Sequence, residues 1–288
     1  MIKSIKKTLY HLCYLAYKYK IVKNMLSVKS VDETIDTLLH TQKSFVRFGD
    51  AEISIIEGRT TQFQNYNEEL GTRLYEILQC KEENILVGIP DIFDSLDEYT
   101  KLSRPFWKEH LFFSRKTYEK YCRSDITYEN AFFSRLCYIF EDKKQAAIRF
   151  SRTREIWKDK DVVVVEGEAT HTGVNNDLLD TARSVERILC PSFNAFSAYE
   201  EIKRACMELD KDKLFLLAVG NTAKLLVSDL DKNGYRAIDI GNLDMEYEWL
   251  LCGTKTKIPV SKHKIIGREA NINAGFYSYL EQVRTIIS

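Results

Sequence analysis

The chain has 288 residues, 44% of them apolar and 29% charged, with twelve glycines and four prolines. That composition excludes collagen-like, low-complexity and wholly disordered chains. A chain of this length buries roughly three quarters of its extended surface, enough for a core without disulfides or metal. Basic and acidic residues balance at 42 each, so the broad basic field expected of a nucleic-acid binder is absent.

The balance conceals an asymmetry. Residues 1–29 hold seven lysines and no acid. Within them Ile2, Ile5, Leu9, Leu12, Leu15, Ala16 and Val22 recur near helical spacing with lysines between. The longest uncharged run, 8–17, is too short to span a bilayer, and no small-x-small cleavage site follows it. A basic amphipathic helix of this kind suits the surface of an anionic membrane; equally, it suits packing on the parent domain with a solvated lysine face. The segment 1–29 is therefore set apart from a domain spanning 30–288. The expected location is cytoplasmic, with peripheral contact at the inner membrane face. The seven cysteines are unpaired in spacing and lack any C-x-x-C, as expected for reduced, buried thiols.

Short apolar or β-branched runs at 44–48, 84–89, 161–166, 184–189, 213–219 and 236–240 predict strands. Helices are predicted at 31–41, 68–80, 97–113, 130–140, 143–157, 176–182, 198–209 and 222–232. The runs Val162 to Val165 and Leu214 to Val219 are continuously apolar, as in strands covered on both faces. The alternation predicts an α/β architecture, a mostly parallel sheet flanked by helices, and such sheets bind ligands beyond the carboxyl ends of their strands.

Those ends carry the chemistry. After the first strand stand Arg47, Gly49, Asp50 and Glu52. After the third comes a polar loop from Glu166 through Gly167, His171, Gly173 and Asn175 to Asn176 and Asp177. After the fifth come Gly220, Asn221 and Thr222, where a helix N-terminus favours an anion such as phosphate. After the sixth come Gly241, Asn242, Asp244, Glu246, Tyr247 and Trp249. The pairs Asp50/Glu52 and Asp244/Glu246 converge if their strands are close in the sheet. A D-x-E pair suits Mg²⁺ or Mn²⁺, a general base, or simply a solvated turn. Arg47 reads also as the partner of Asp50 in a surface ion pair, Asn176-Asp177 as a helix cap, and Phe48, Tyr247 and Trp249 as core. Dinucleotide, P-loop, serine-hydrolase and zinc-protease fingerprints are missing.

The segments Arg47–Glu52, the 166–178 loop ending in G-x-x-N-D-L, Arg187 to Pro191, and Ala237 to Gly241 through Asp244-x-Glu246-Tyr247-Glu248-Trp249 together resemble the GT-D-fold glycosyltransferases, a bacterial family first catalogued as a domain of unknown function. The resemblance runs from about Phe45 to about Lys264. It implies a single Rossmann-like domain of GT-D type and metal-dependent transfer of a hexose from a UDP-sugar. The implied acceptors are glycans, glycoproteins or lipid-linked saccharides in the assembly of capsule, other surface polysaccharide or adhesins. It implies Asp244 and Glu246 as ligands of Mn²⁺ or Mg²⁺, with Asp50, Glu52 and Arg47 at the reacting sugar; the reverse assignment of the two acidic pairs is the runner-up. Gly167, His171, Gly173, Asn176, Asp177, Gly220, Thr222 and Asn242 are then expected around the donor. The sequence departs from the family's pattern at Ala51 (usually glycine), His171 (arginine), Asn175 (glycine), Asn221 (proline) and Asn242 (histidine). These departures raise the alternative of a catalytically weak subunit that binds the donor beside an active transferase. A pyruvyl- or methyltransferase acting on the same glycans is a third reading.

Overall fold

A computed structural model describes residues 2–79, 81–260, 262 and 275–288. The strands are β1 (Ser27–Val28), β2 (Ser44–Arg47), β3 (Ile85–Ile89), β4 (Thr127–Asn130), β5 (Asp161–Gly167), β6 (Ser184–Cys190), β7 (Leu214–Ala218), β8 (Arg236–Asp239) and β9 (Val283–Ile286). The helices are α1 (Ile2–Lys18), α2 (Val31–His40), α3 (Asp50–Ile56), α4 (Glu68–Leu78), α5 (Arg104–Tyr121), α6 (Lys143–Arg154), α7 (Tyr199–Met207), α8 (Thr222–Lys232), α9 (Leu243–Leu251) and α10 (Gly275–Gln282).

Among the described residues the nine strands form one sheet in the order β1-β4-β3-β2-β8-β7-β5-β6-β9. Every strand pairing in it is parallel. The four strands of the N-terminal half meet the five of the C-terminal half where β2 lies against β8, with Phe45 opposite Ile238. The carboxyl ends of β2 and β8 are therefore neighbours, and the clusters beginning at Arg47 and at Asp239 share one edge of the sheet.

Local chemistry accounts for most elements. Val162, Val163, Val164 and Val165 are fully buried, each contributing about 1.5–3 kcal/mol by leaving water. Ser30 and Glu33 form a reciprocal capping box at the start of α2, Asn67 caps α4 and Asp142 caps α6. The described cysteines are all free, and Cys122, Cys137, Cys190 and Cys206 are buried.

Three expected helices differ. Residues 97–103 form turns and α5 begins at Arg104, because Pro105 belongs in a first helical turn. The helix then runs on to Tyr121. Residues 130–140 give only a short 3₁₀ turn, Ala131–Ser134. The N–H groups of Cys137 and Tyr138, which a helix would use internally, donate instead to the Glu246 carboxylate at 2.9 and 2.6 Å. Residues 176–182 are turns, held where Trp157 Nε1 donates to Leu178 O and Asp159 N to Thr181 O. Residues 243–251, read as a strand-end loop, form α9. Within segment 1–29, α1 packs on α5 through Tyr10, Tyr14 and Tyr17, and Ser27–Val28 is an edge strand of the sheet.

Candidate active site at the carboxyl edge of the sheet

A cavity of about 930 Å³ lies along the carboxyl ends of the strands, lined from both halves by Arg47, Asp50 and Glu52 on one side and Asp239, Asn242 and Asp244 on the other. Gly167, Gly220 and Asn221 close a third side. The N-terminal ends of α3, α8 and α9 all face it, bringing three sets of partly unpaired N–H groups and their positive dipole ends together.

The charged side chains are wired into each other. Arg47 donates from Nε to Asp239 O and from Nη2 to Asp239 Oδ1, both at 2.9 Å, so its partner is Asp239 and not Asp50. Lys224, a buried residue in the first turn of α8, places Nζ 2.8 Å from Glu52 Oε1 and 3.0 Å from Asp239 Oδ2. Burial by itself would raise the Asp239 carboxyl; the combined pull of Arg47 and Lys224 outweighs it and holds the group below the usual carboxylate range. Glu52 also accepts from Asn221 Nδ2 at 3.0 Å and, through Oε2, from Gly49 N at 2.8 Å. It thus caps the Gly49 N–H at the start of α3 and is the counter-ion of Lys224. A proline at 221 could not make the bond to Glu52. Gly241 has φ +44°, and a methyl group there would collide with the Arg47 guanidinium, so only glycine allows the arginine to lie across it.

Asp50 differs. Its side chain is exposed at the first turn of α3 and, among the described residues, has neither an ion pair nor a side-chain hydrogen bond. It is the cavity's uncommitted carboxylate.

The second acidic pair is divided by the helix that carries it. Asp244 lines the cavity, but its Oδ1 accepts from Gly173 N at 2.8 Å, Asn176 Nδ2 at 2.9 Å and Lys262 Nζ at 3.0 Å. Glu246 is fully buried behind the wall. It receives the Cys137 and Tyr138 N–H groups and lies 3.2 Å from Arg135 Nε. Burial drives its carboxyl upward despite these partners. The expected joint ligation of a divalent cation by Asp244 and Glu246 does not fit this arrangement. One carboxylate is already neutralised by a lysine, and the other is turned away to hold the 135–138 turn. Among the described residues no three of His, Cys, Asp and Glu gather at metal-holding spacing.

In the 171–177 loop, expected around the donor, His171, Gly173, Asn176 and Asp177 do not line the cavity. His171, at φ +53°, is buried with Nδ1 2.7 Å from Lys262 O and its ring against Tyr279. Gly173 and Asn176 hold Asp244, and Asn176 also donates to Glu248. Asp177 accepts from Tyr247 Oη at 2.6 Å and pairs with Arg154, and those hydrogen bonds lower its pKa. Thr222 is buried inside the start of α8 and does not reach the cavity. Gly173, Asn176 and Asp177 thus hold α9 through Asp244, Glu248 and Tyr247. Gly167, Gly220 and Asn242 stay at the cavity as expected. Phe48, Tyr247 and Trp249 are buried.

Several lining groups carry no motif. Arg135 and Lys257 supply cations on the α9 side, the Lys257 ammonium lying 4.6 Å from the Tyr138 ring centre. Phe63, Phe106 and Phe193 stand about half exposed at the rim. The loops bearing Phe63 and Phe193 are joined by Asn194 N to Phe63 O at 2.8 Å and by Gln64 Nε2 to Asn194 Oδ1 at 2.5 Å. Asp239 and Lys224 were within reach of a strand-end reading; Arg135, Lys257 and Lys262 were not.

The structure thus presents a parallel sheet with a cleft at the junction of its halves, walled by cations, helix N-termini and a carboxylate without a side-chain partner, the place where α/β sheets bind ligands. Comparison with known proteins supplies the class. Residues 45–267 match the family described as "Glycosyltransferase GT-D fold", and the chain belongs to that family. It is 43% identical over 240 residues to the "Probable glycosyl transferase Gly" of Streptococcus gordonii, covering 83% of this chain and 35% of the relative. It is 39% identical over 242 residues to "Glycosyltransferase GlyD" of Streptococcus pneumoniae serotype 4 (strain ATCC BAA-334 / TIGR4), covering 84% of this chain and 30% of the relative. The chain thus spans about a third of the length of these curated relatives. Among solved structures it is similar to "A New Glycosyltransferase (DUF1792) from Streptococcus sanguinis", with TM-score 0.85 and 37% identity over 91% of this chain and all of that one. It is similar too to a structure reported as the highly conserved domain of unknown function 1792 with a distinct glycosyltransferase fold, with TM-score 0.88 and 34% identity over 98% of this chain and all of that one.

Proposed function

We propose that this protein transfers a hexose from a UDP-sugar to a hydroxyl of a glycan, glycoprotein or lipid-linked saccharide. The observation that carries the reading is the free Asp50 carboxylate, facing the same cavity as three helix N-termini and the Arg135 and Lys257 cations. Breaking the bond between sugar and diphosphate builds negative charge on the leaving group. The N–H groups at Gly220, Asn221 and Asn242, with the two cations, stabilise that charge without having to reorganise. Asp50 accepts the proton of the attacking hydroxyl from the opposite side of the sugar, the geometry of an inverting transfer. The Arg47–Asp239–Lys224–Glu52 network holds the floor rigid. The half-exposed phenylalanines at the rim offer flat apolar faces to a nucleobase or a pyranose ring. The joint metal site expected at Asp244 and Glu246 does not fit the placement of these two carboxylates, one held by Lys262 and the other by the Cys137 and Tyr138 N–H groups.

The test is release of UDP from a panel of UDP-hexoses, with and without a saccharide acceptor, by the wild-type protein and by Asp50→Asn. The panel is run once with Mn²⁺ and once with EDTA. Turnover with at least one donor, lost in Asp50→Asn, supports the assignment. A donor-induced melting shift with no turnover from any donor would instead favour the binding-subunit reading.

A further inference from the structure

The helix α1 has two apolar faces, and the fold uses one of them. Tyr10, Tyr14 and Tyr17 are buried against α5, where Tyr10 packs on Phe112 and Phe113. Tyr17 donates to Glu119, and Lys18 pairs with Asp97 at 2.6 Å. The other face is a row at i, i+4, i+7: Ile5, Leu9 and Leu12 are 55, 47 and 55% exposed. The chain just beyond the helix exposes further apolar side chains, Tyr19 and Ile21 at 67 and 78% and Met25 at 50%. Lys6 stands beside this row at i, i+3 from Leu9, and Lys7, Lys20 and Lys23 lie near it in sequence; all four are exposed and carry no ion pair among the described residues. Segment 1–29 offers no acid to offset them.

Aliphatic side chains left in water at helical spacing, bordered by uncompensated lysines, complement a surface with an apolar interior and an anionic skin. Among the described residues no helix is long and apolar enough to cross a membrane, so the complementary arrangement is a helix lying in the interface. We infer that the outer face of α1 and the turn after it dock the protein on an anionic lipid bilayer. Its geometry relative to the cavity adds a consequence. The helix α5 carries α1 on one side and, through Phe106 and Trp107, lines the cavity on another. A bilayer bound to α1 is therefore connected to the cavity wall through the single helix α5. That consequence rests on the transfer reading above; the docking itself does not.

Flotation of the full chain with vesicles of phosphatidylcholine alone, and of phosphatidylcholine mixed with phosphatidylglycerol, tests it. The wild type is expected to float with the mixed vesicles only, and less as salt is raised. The variant Ile5→Ser/Leu9→Ser/Leu12→Ser, altered only at exposed positions, is expected to bind about tenfold more weakly or worse. The variant Lys6→Glu/Lys7→Glu is expected to do the same. Circular dichroism and melting temperature verify that both remain folded. Equal flotation by wild type and variants overturns the inference, as does no flotation at all. A wild-type dimer that the serine variant converts to monomer also overturns it, because a second copy would then be what covers the face. UDP release is measured on the same samples, so loss of flotation with turnover intact separates this inference from the transfer reading.

Discussion

Lys224 Nζ lies 2.8 Å from Glu52 Oε1, and the two residues come from opposite halves of the sheet. The same ammonium reaches Asp239 Oδ2 at 3.0 Å. One buried cation thus bridges the carboxyl edges at the β2–β8 junction, and the first acidic motif is half consumed in holding the two halves together.

Removing that cation should cost stability first. Lys224→Met leaves Glu52 and Asp239 buried with too little positive charge, and the expected loss is about 3–5 kcal/mol, read by urea denaturation. Adding Glu52→Gln to Lys224→Met should recover part of it, because Asp239 keeps Arg47. Strict additivity of the two single changes would show that the residues do not interact.

The network should also set the acid limit of stability. The Asp239 carboxyl is lowered in the folded state relative to about 3.9 when unfolded. A lowered carboxyl stabilises the fold above its unfolded value, and that contribution disappears as pH falls through the folded one. Melting temperature should therefore drop below about pH 4, and the drop should be shallower in Asp239→Asn, which starts from a lower plateau at neutral pH. Parallel curves for the two proteins would remove Asp239 as the cause.

Asp50→Asn removes a proton acceptor without removing a structural contact. UDP release is expected to fall by about 10²–10⁴-fold, with the melting temperature unchanged within error. Retained turnover would return the base to another group.

Gly241→Ala places a methyl against the Arg47 guanidinium at a positive-φ position. The expected outcome is a loss of about 1–3 kcal/mol, together with weaker donor binding, because displaced Arg47 intrudes on the cavity. Calorimetric titration with UDP reads the second effect. Affinity equal to wild type would mean the arginine relocates harmlessly.

Glu246 holds the 135–138 turn by accepting the Cys137 and Tyr138 N–H groups. Glu246→Gln keeps an acceptor for the two N–H groups but removes the charge facing Arg135, and should cost about 1–3 kcal/mol. Mn²⁺ affinity, followed by electron paramagnetic resonance, should not change. A tenfold weaker affinity with an unaltered melting curve would restore Glu246 as a ligand.

Much of the site was legible before folding was considered, and the pattern of success has a physical basis. The valine run of β5 and the leucine-rich β7 announce strands buried on both faces, and glycine with polar residues after them marks the edge where a ligand sits. Arg47, Asp50, Glu52, Gly167, Gly220, Asn242 and Asp244 all line the cavity as that rule requires. It reached less far at the polar 171–177 loop, whose expected residues do not line the cavity. His171, Gly173, Asn176 and Asp177 look like an anion cradle, yet they spend their hydrogen bonds on Lys262, Asp244, Glu248 and Tyr247. The 130–140 segment has a helical apolar pattern, but a carboxylate more than a hundred residues away outcompetes the helix for its N–H groups.

By itself the sequence determined the α/β alternation, the sheet edge along which the cavity lies and the family to which the chain belongs, because hydrophobic period and strand-end composition are local properties. Tertiary structure alone decided which acids are free to react. Glu52, Asp239, Asp244 and Glu246 differ from Asp50 through partners supplied by distant elements: Lys224, Arg47, Lys262, and the backbone of Cys137 and Tyr138. A carboxylate's charge, exposure and proton affinity are set by what surrounds it in space, and that neighbourhood exists only once β2 and β8 lie side by side.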